Sequence, residues 1–130
     1  MNNSFKLPDE WLKQSEYDMD TAKAMFKTGR FIYAVFMCHL AIEKIIKGVY
    51  SKIIGKDPPK THDLIYLSEM TNLNLTEDFT KFLDSLNDLS VPTRYPDELE
   101  KLIVQYNRKR TKIIINQTKE LLQCLKRKLK

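Results

Sequence analysis

Residues 31–50 read FIYAVFMCHLAIEKIIKGVY, and the fold follows from how this stretch is read. Residues 31–42 carry apolar or small side chains on every face except at His39, and a helix that is apolar all round belongs inside a bundle. From Glu43 onward Glu43, Lys44 and Lys47 interrupt the run, while Ala41, Ile42, Ile45, Ile46 and Val49 keep a helical stripe going. This helix is therefore apolar at one end and polar at the other. His39, Glu43 and Lys47 are spaced i, i+4, i+8, so one line of ionisable groups runs up the most buried element. Two readings of that line stand side by side. One is an intrahelical Glu43–Lys47 ion pair, worth ~0.2–0.5 kcal/mol on an exposed surface. The other is a polar row facing a cleft between helices, where bundles place their ligand sites.

Working outward, 130 residues make one ordinary domain, 1–130, with enough apolar content for a core that needs no disulfides. Cys38 and Cys124 have no metal-ligand spacing and read as reduced thiols, which points to the cytoplasm. The apolar run falls short of the ~20 residues a membrane span requires, so no membrane association is expected. The net charge of +5 is uneven: residues 108–130 hold nine Lys/Arg against the single acid Glu120. Arg108, Lys109, Arg110 and Lys112 form one basic cluster and Lys126, Arg127 and Lys128 another, which either attract phosphates or form a solvated helix end.

Before the central stretch, Pro8 and a capping Asp9 open a helix whose stripe is Trp11, Leu12, Ser15, Met19, Ala22 and Phe26, ending at Gly29. The two-residue connection Gly29-Arg30 makes a helical hairpin with the central helix, which fades out around Ile54-Gly55. Pro58-Pro59 then stiffens an extended segment, and Thr61 caps a short helix from His62 to about Met70. Thr76 opens a fourth helix with Phe79, Phe82, Leu83, Leu86 and Leu89 facing inward. Pro92 and Pro96 exclude regular helix from residues 90–96 and hold Arg94 and Tyr95 in fixed directions. Asp97 and Glu100 form a capping box for a last helix with the stripe Leu99, Leu102, Ile103, Tyr106, Ile113, Ile114, Leu121 and Leu125, into which Arg110 and Gln117 are set. The pattern predicts an all-α fold: an up-and-down antiparallel four-helix bundle with an additional short helix, five helices altogether.

The usual catalytic constellations are absent: no phosphate-binding Gly-rich loop, no nucleophile elbow, no H-E-x-x-H and no cysteine-histidine cluster for a metal. No cofactor is implied. Any phosphate site must use side chains and helix N-termini. His62 and Arg94, both on proline-bounded segments, are the candidates to converge on the polar end of the central helix, in a mixed pocket of Glu43, Lys44, Lys47, His62 and Arg94 with Tyr95 beside it. The alternative is that Asp63 merely complements the helix dipole and His62 is an exposed side chain.

Assembled in order, Ala41-Ile42-Glu43-Lys44 with Lys47, Thr61-His62-Asp63-Leu64 and Arg94-Tyr95-Pro96-Asp97 resemble the HEPN domain family of the R-Y-P type, whose members carry A-x-E-K-x-x-K, T-H-D-L and R-Y-P elements. Phe31, Tyr33, Ala34 and Phe36 ahead of the first motif also fit, and the similarity runs from about Trp11 to Leu125. The resemblance implies an all-α bundle that forms a homodimer, is associated with nucleotide or RNA chemistry, and works in prokaryotic toxin–antitoxin pairs beside a small nucleotidyltransferase. A non-catalytic module of this kind is expected to bind a nucleotide or phosphate through Lys44, Lys47, His62, Arg94 and Tyr95, because the basic side chains group at one end of the buried helix. Some members of the family that the chain resembles are metal-independent ribonucleases with an arginine followed, after four to six residues, by histidine. That pair is not found here, and Arg110 with Asn116 is the nearest approximation. The alternative function is a divergent ribonuclease in which His62, or His39 in line with Glu43, transfers protons while Arg94 or Arg110 stabilises the phosphorane.

Overall fold

The apolar stretch lies in a helix from Phe31 to Ile54 in the computed structural model, which describes residues 6–94 and 97–130. The described residues form α1 (Pro8–Lys27), α2 (Phe31–Ile54), α3 (Leu64–Thr71), α4 (Glu77–Arg94), α5 (Leu99–Gln105) and α6 (Arg108–Lys126), with a closing 3-10 turn at Arg127–Leu129 and no strand. The fold is all-α, with α5 and α6 standing where the pattern predicted one helix. Every other helix contacts α2. Ala34, Cys38, Ala41, Ile42, Ile45, Ile46 and Val49 are fully buried along it, as a helix apolar on all faces requires. None of the described helices is long and apolar enough to cross a membrane.

The α1–α2 hairpin is set by a Schellman turn. Gly29 takes φ +79°, the Arg30 amide donates to the Met25 carbonyl at 2.8 Å, and the Gly29 amide donates to that of Phe26 at 3.2 Å. At the other end of the hairpin the helices nearly touch. A side chain at Gly48 would meet Cβ of Trp11 at 3.0 Å, so the small residue inside α2 allows the start of α1 to lie close. Asp9 does not cap α1: the cap position is Leu7, with Pro8 in the first turn and Asp9 and Glu10 beside it complementing the dipole.

Three further boundaries differ from the sequence expectation, each for a local reason. The cap of α3 is Asp63, whose carboxylate accepts from the amides of Ile65 and Tyr66 at 3.1 Å each, while Thr61 Oγ1 accepts from the Asp63 amide at 3.1 Å. Thr61 therefore supports the cap instead of being it, and α3 starts at Leu64. Helix α4 continues through Pro92 to Arg94. Proline removes one amide donor, and in the last turn of an 18-residue helix the remaining ladder and the inward Phe82, Leu83 and Leu86 outweigh that loss.

The last helix breaks at Tyr106-Asn107. Glu98 occupies the α5 cap position without a side-chain cap bond, so the Asp97–Glu100 capping box does not form. Asn107 then caps α6, its side-chain oxygen accepting from the Arg110 amide at 2.9 Å. The break lets Leu102 and Tyr106 turn inward while Leu99 and Ile103 stay half-exposed. Beyond it Thr111, Ile114, Thr118, Leu121 and Leu125 form a buried seam at 3–4 spacing, and Gln117 is exposed.

Candidate functional site

The polar row of α2 is real in space. Four residues make one helical turn, so Glu43 and Lys47 lie one above the other, and Lys47 Nζ is 3.0 Å from Glu43 Oε2. Both side chains are buried, Glu43 at 4% and Lys47 at 8% exposure, so this is no solvated surface pair. The other carboxylate oxygen, Oε1, lies 2.9 Å from Nδ1 of His62 and 3.9 Å from Nδ1 of the fully buried His39. Glu43 is thus the centre of the cluster. A carboxylate accepts only, so the His62 tautomer that fits has its proton on Nδ1. The imidazole itself is 60% exposed, which leaves its far edge open to solvent.

His62 is held there by the turn that follows it. The Thr61 amide donates to the Pro59 carbonyl at 3.0 Å, and Asp63 caps α3. Asn87 on α4 locks the two elements together: its Oδ1 accepts from the Leu64 amide at 2.9 Å and its Nδ2 donates to Asp63 Oδ1 at 3.1 Å. The first amides of α3 are consequently occupied by Asp63 and Asn87. A phosphate at this end must be met by side chains and not by the helix terminus.

Lys44 does not join the cluster. One residue beyond Glu43 it is rotated about 100° around the helix axis, and its ammonium sits 2.8 Å from the buried Asp18 of α1. Asp18 gave its own signal in the sequence, an acid beside Met19 within the α1 stripe, but its partner is on another helix and could not be read from spacing. Asn87 was equally silent, being one polar residue on a largely polar α4 face. Arg94 is the last residue of α4, and its side chain, like Tyr95, lies outside the described residues. Arg110 is half-buried, with its guanidinium 4.6 Å from the ring centre of Tyr106 and Nη1 donating to the Gln105 carbonyl at 3.3 Å. Burial pushes the Tyr106 hydroxyl above its ordinary pKa, and the Arg110 charge opposes that shift. Among the described residues no three His, Cys, Asp or Glu side chains are grouped to hold a metal.

Lys47 also lies over the Trp11 ring, 5.8 Å from its centre, with Lys6 Nζ at 4.1 Å from the same ring. The helix pair α1–α2 therefore closes one side of the row, and the loop before α3 closes the other. What results is a carboxylate-held imidazole at the mouth of a buried charge pair.

The model of the HEPN domain matches residues 8–128. The chain belongs to the HEPN domain family. Two solved structures share the HEPN-like fold. TT1696 from Thermus thermophilus has 22% sequence identity and a TM-score of 0.83, covering 94% of this chain and 98% of that one. ST0689, an archaeal HEPN homologue, has 24% identity and a TM-score of 0.78, covering 96% of this chain and 99% of its own. At such identities the likeness is one of fold. No curated protein matches the sequence.

Proposed function

We propose that this HEPN chain is a nucleotide- or phosphate-binding helical module whose ligand meets the exposed edge of His62 beside Lys47, with Arg94 and Tyr95, from the proline-bounded stretch of sequence, as further candidate contacts. The observation that carries the reading is the 2.9 Å contact between His62 Nδ1 and the buried Glu43 carboxylate. It fixes the ring and leaves the other nitrogen facing outward, where it donates to a phosphate oxygen when the imidazole carries both protons. Lys44 acts in this reading through Asp18, holding α1 against α2, and not on the ligand. The chain acts as a homodimer in a toxin–antitoxin-type pair with a small nucleotidyltransferase, an assignment that rests on the family. Two free cysteines, one of them buried, support a reducing compartment such as the cytoplasm.

Titration calorimetry with ATP, AMP and a short single-stranded RNA tests the proposal. His62→Gln with Arg94→Ala is expected to weaken binding at least about tenfold, the loss of a charge-assisted contact. Unchanged binding in that double variant removes the site. A nucleotidyltransferase that co-elutes with the chain when both are expressed tests the partner.

A second reading, a divergent metal-independent ribonuclease, draws on the same contact, because a carboxylate-oriented imidazole has the form of a general acid/base. It requires RNA cleavage in excess chelator that falls by about 10²-fold or more in His62→Gln. Cleavage that survives in that variant belongs to a contaminant.

A further inference from the structure

At the start of α2, about three helical turns before Glu43, the molecule carries a different kind of surface. A groove of about 250 Å³ runs between the start of α2 and α5, lined by Arg30, Phe31, Tyr33, Leu99, Ile103 and Tyr106. Three of these, Tyr33, Leu99 and Ile103, are each at least half exposed, at 54%, 53% and 50%. Three arginines belong to it or stack on rings that line it. Arg30 lines the groove directly, Arg108 lies 5.3 Å from the Phe31 ring centre, and Arg110 lies 4.6 Å from that of Tyr106. Among the described residues none of the three is paired with a carboxylate, whereas Glu98 on α5 is engaged by Lys101 at 3.2 Å.

We infer that this groove docks an acidic amphipathic helix of a partner protein, its apolar anchors filling the slot and its Asp or Glu residues meeting the three arginines. The occupant follows from charge and shape. A short apolar slot bordered by α5 takes large side chains at i, i+3 or i+4 spacing, which is how helices are bound in grooves. Arginines over aromatic rings are held with their N–H edges available for carboxylates in bidentate geometry. A second copy of the chain is the poorer occupant, because an isologous contact through this patch gathers the like-charged guanidiniums of both copies into one interface. A nucleic-acid base is poorer too, since it finds an exposed aromatic face only at Tyr33, and the exposed Leu99 and Ile103 offer aliphatic contacts.

Fluorescence anisotropy with a panel of synthetic amphipathic helices, bearing Leu and Phe anchors with either Glu or Lys flanks, tests the inference on the full chain. Glu-flanked helices are expected to bind, with Lys-flanked ones at least tenfold weaker. Ile103→Asp is expected to cost tenfold or more. Arg30→Glu with Arg110→Glu should reverse the flank preference. Both sets of positions are exposed or half-exposed, and circular dichroism of each variant verifies the fold. Equal binding of both panels, binding indifferent to Ile103→Asp, or no binding by any acidic helix overturns the proposal. So does a wild-type dimer by sedimentation that Ile103→Asp converts to monomer, which assigns the groove to a second copy. Nucleotide titrations of Ile103→Asp stay at the wild-type value if only this inference, and not the His62 reading, fails.

Discussion

Two regions of α2, its middle around Glu43 and its start at Phe31, use charge in opposite ways. Near Glu43 every charge is answered inside the molecule: Lys47 and His62 share one carboxylate, and Lys44 takes Asp18. Around Phe31 and Tyr106 the guanidiniums rest on rings and are answered by no carboxylate among the described residues. A buried pair cannot rearrange without leaving a desolvated charge behind, so the first region is fixed in shape. The second region gives up little when its cations turn outward, and so it can adapt to what it meets.

If that contrast holds, the largest effect comes from breaking the buried region. Glu43→Ala leaves Lys47 buried without a counter-charge and is expected to cost about 3–5 kcal/mol in urea unfolding; a loss below about 1 kcal/mol means that Lys47 escapes to solvent. Lys44→Ala strands Asp18, which is 5% exposed. Its expected cost is smaller, about 2–3 kcal/mol, because the outer part of Lys44 already reaches water. Asn87→Ala removes two bonds from the α3 cap and is expected to cost about 1–2 kcal/mol, with faster amide exchange at Leu64 as its signature. In the other region Arg108→Gln, which loses contacts to Phe26 and Phe31, is expected to change stability by only about 0.5–1 kcal/mol. A loss as large as that for Lys44→Ala would erase the distinction between the regions.

A pH titration sharpens the comparison from the core between them. Burial raises the Cys38 thiol from 9.0 to about 12, partly offset by its hydrogen bond with Thr118. The folded chain therefore keeps a proton that the unfolded chain loses, so this contribution is fully present below pH 9 and declines as pH rises from 9.0 to about 12. Tyr106, also raised, acts in the same direction. Cys38→Ala is expected to flatten the decline measured by denaturation across that window, and an unchanged slope would place its cause elsewhere.

Much of the architecture was legible because α2 declares itself: twelve residues apolar on all faces admit few environments. The hairpin followed from Gly29, and the inward set of α4 from its phenylalanines and leucines. The convergence of His62 on the Glu43 row was also readable, since i, i+4 spacing fixes the row and prolines stiffen the loop that brings the ring. What could not be read was competition between equal local options. Thr61 and Asp63 are both good caps, and only the Asn87 contact from another helix favours the second. Pro92 argued for an early end to α4 by a preference that packing overrode, and Asn107 interrupted a stripe that was continuous in sequence. Lys44 was misassigned to the pocket for the same reason, because the acid that claims it lies 26 positions earlier, at Asp18.

The side-chain amide of Asn87 ties the start of α3 to the body of α4. The same α4 ends at Arg94, and the same start of α3 immediately follows His62. That amide is a polar clasp beside an apolar contact, in which Leu64 and Leu67 of α3 share a core with Leu83 and Leu86 of α4. Substituting that asparagine would remove the clasp and leave the apolar contact in place, which isolates what two polar bonds add to the seating of the segment that carries His62.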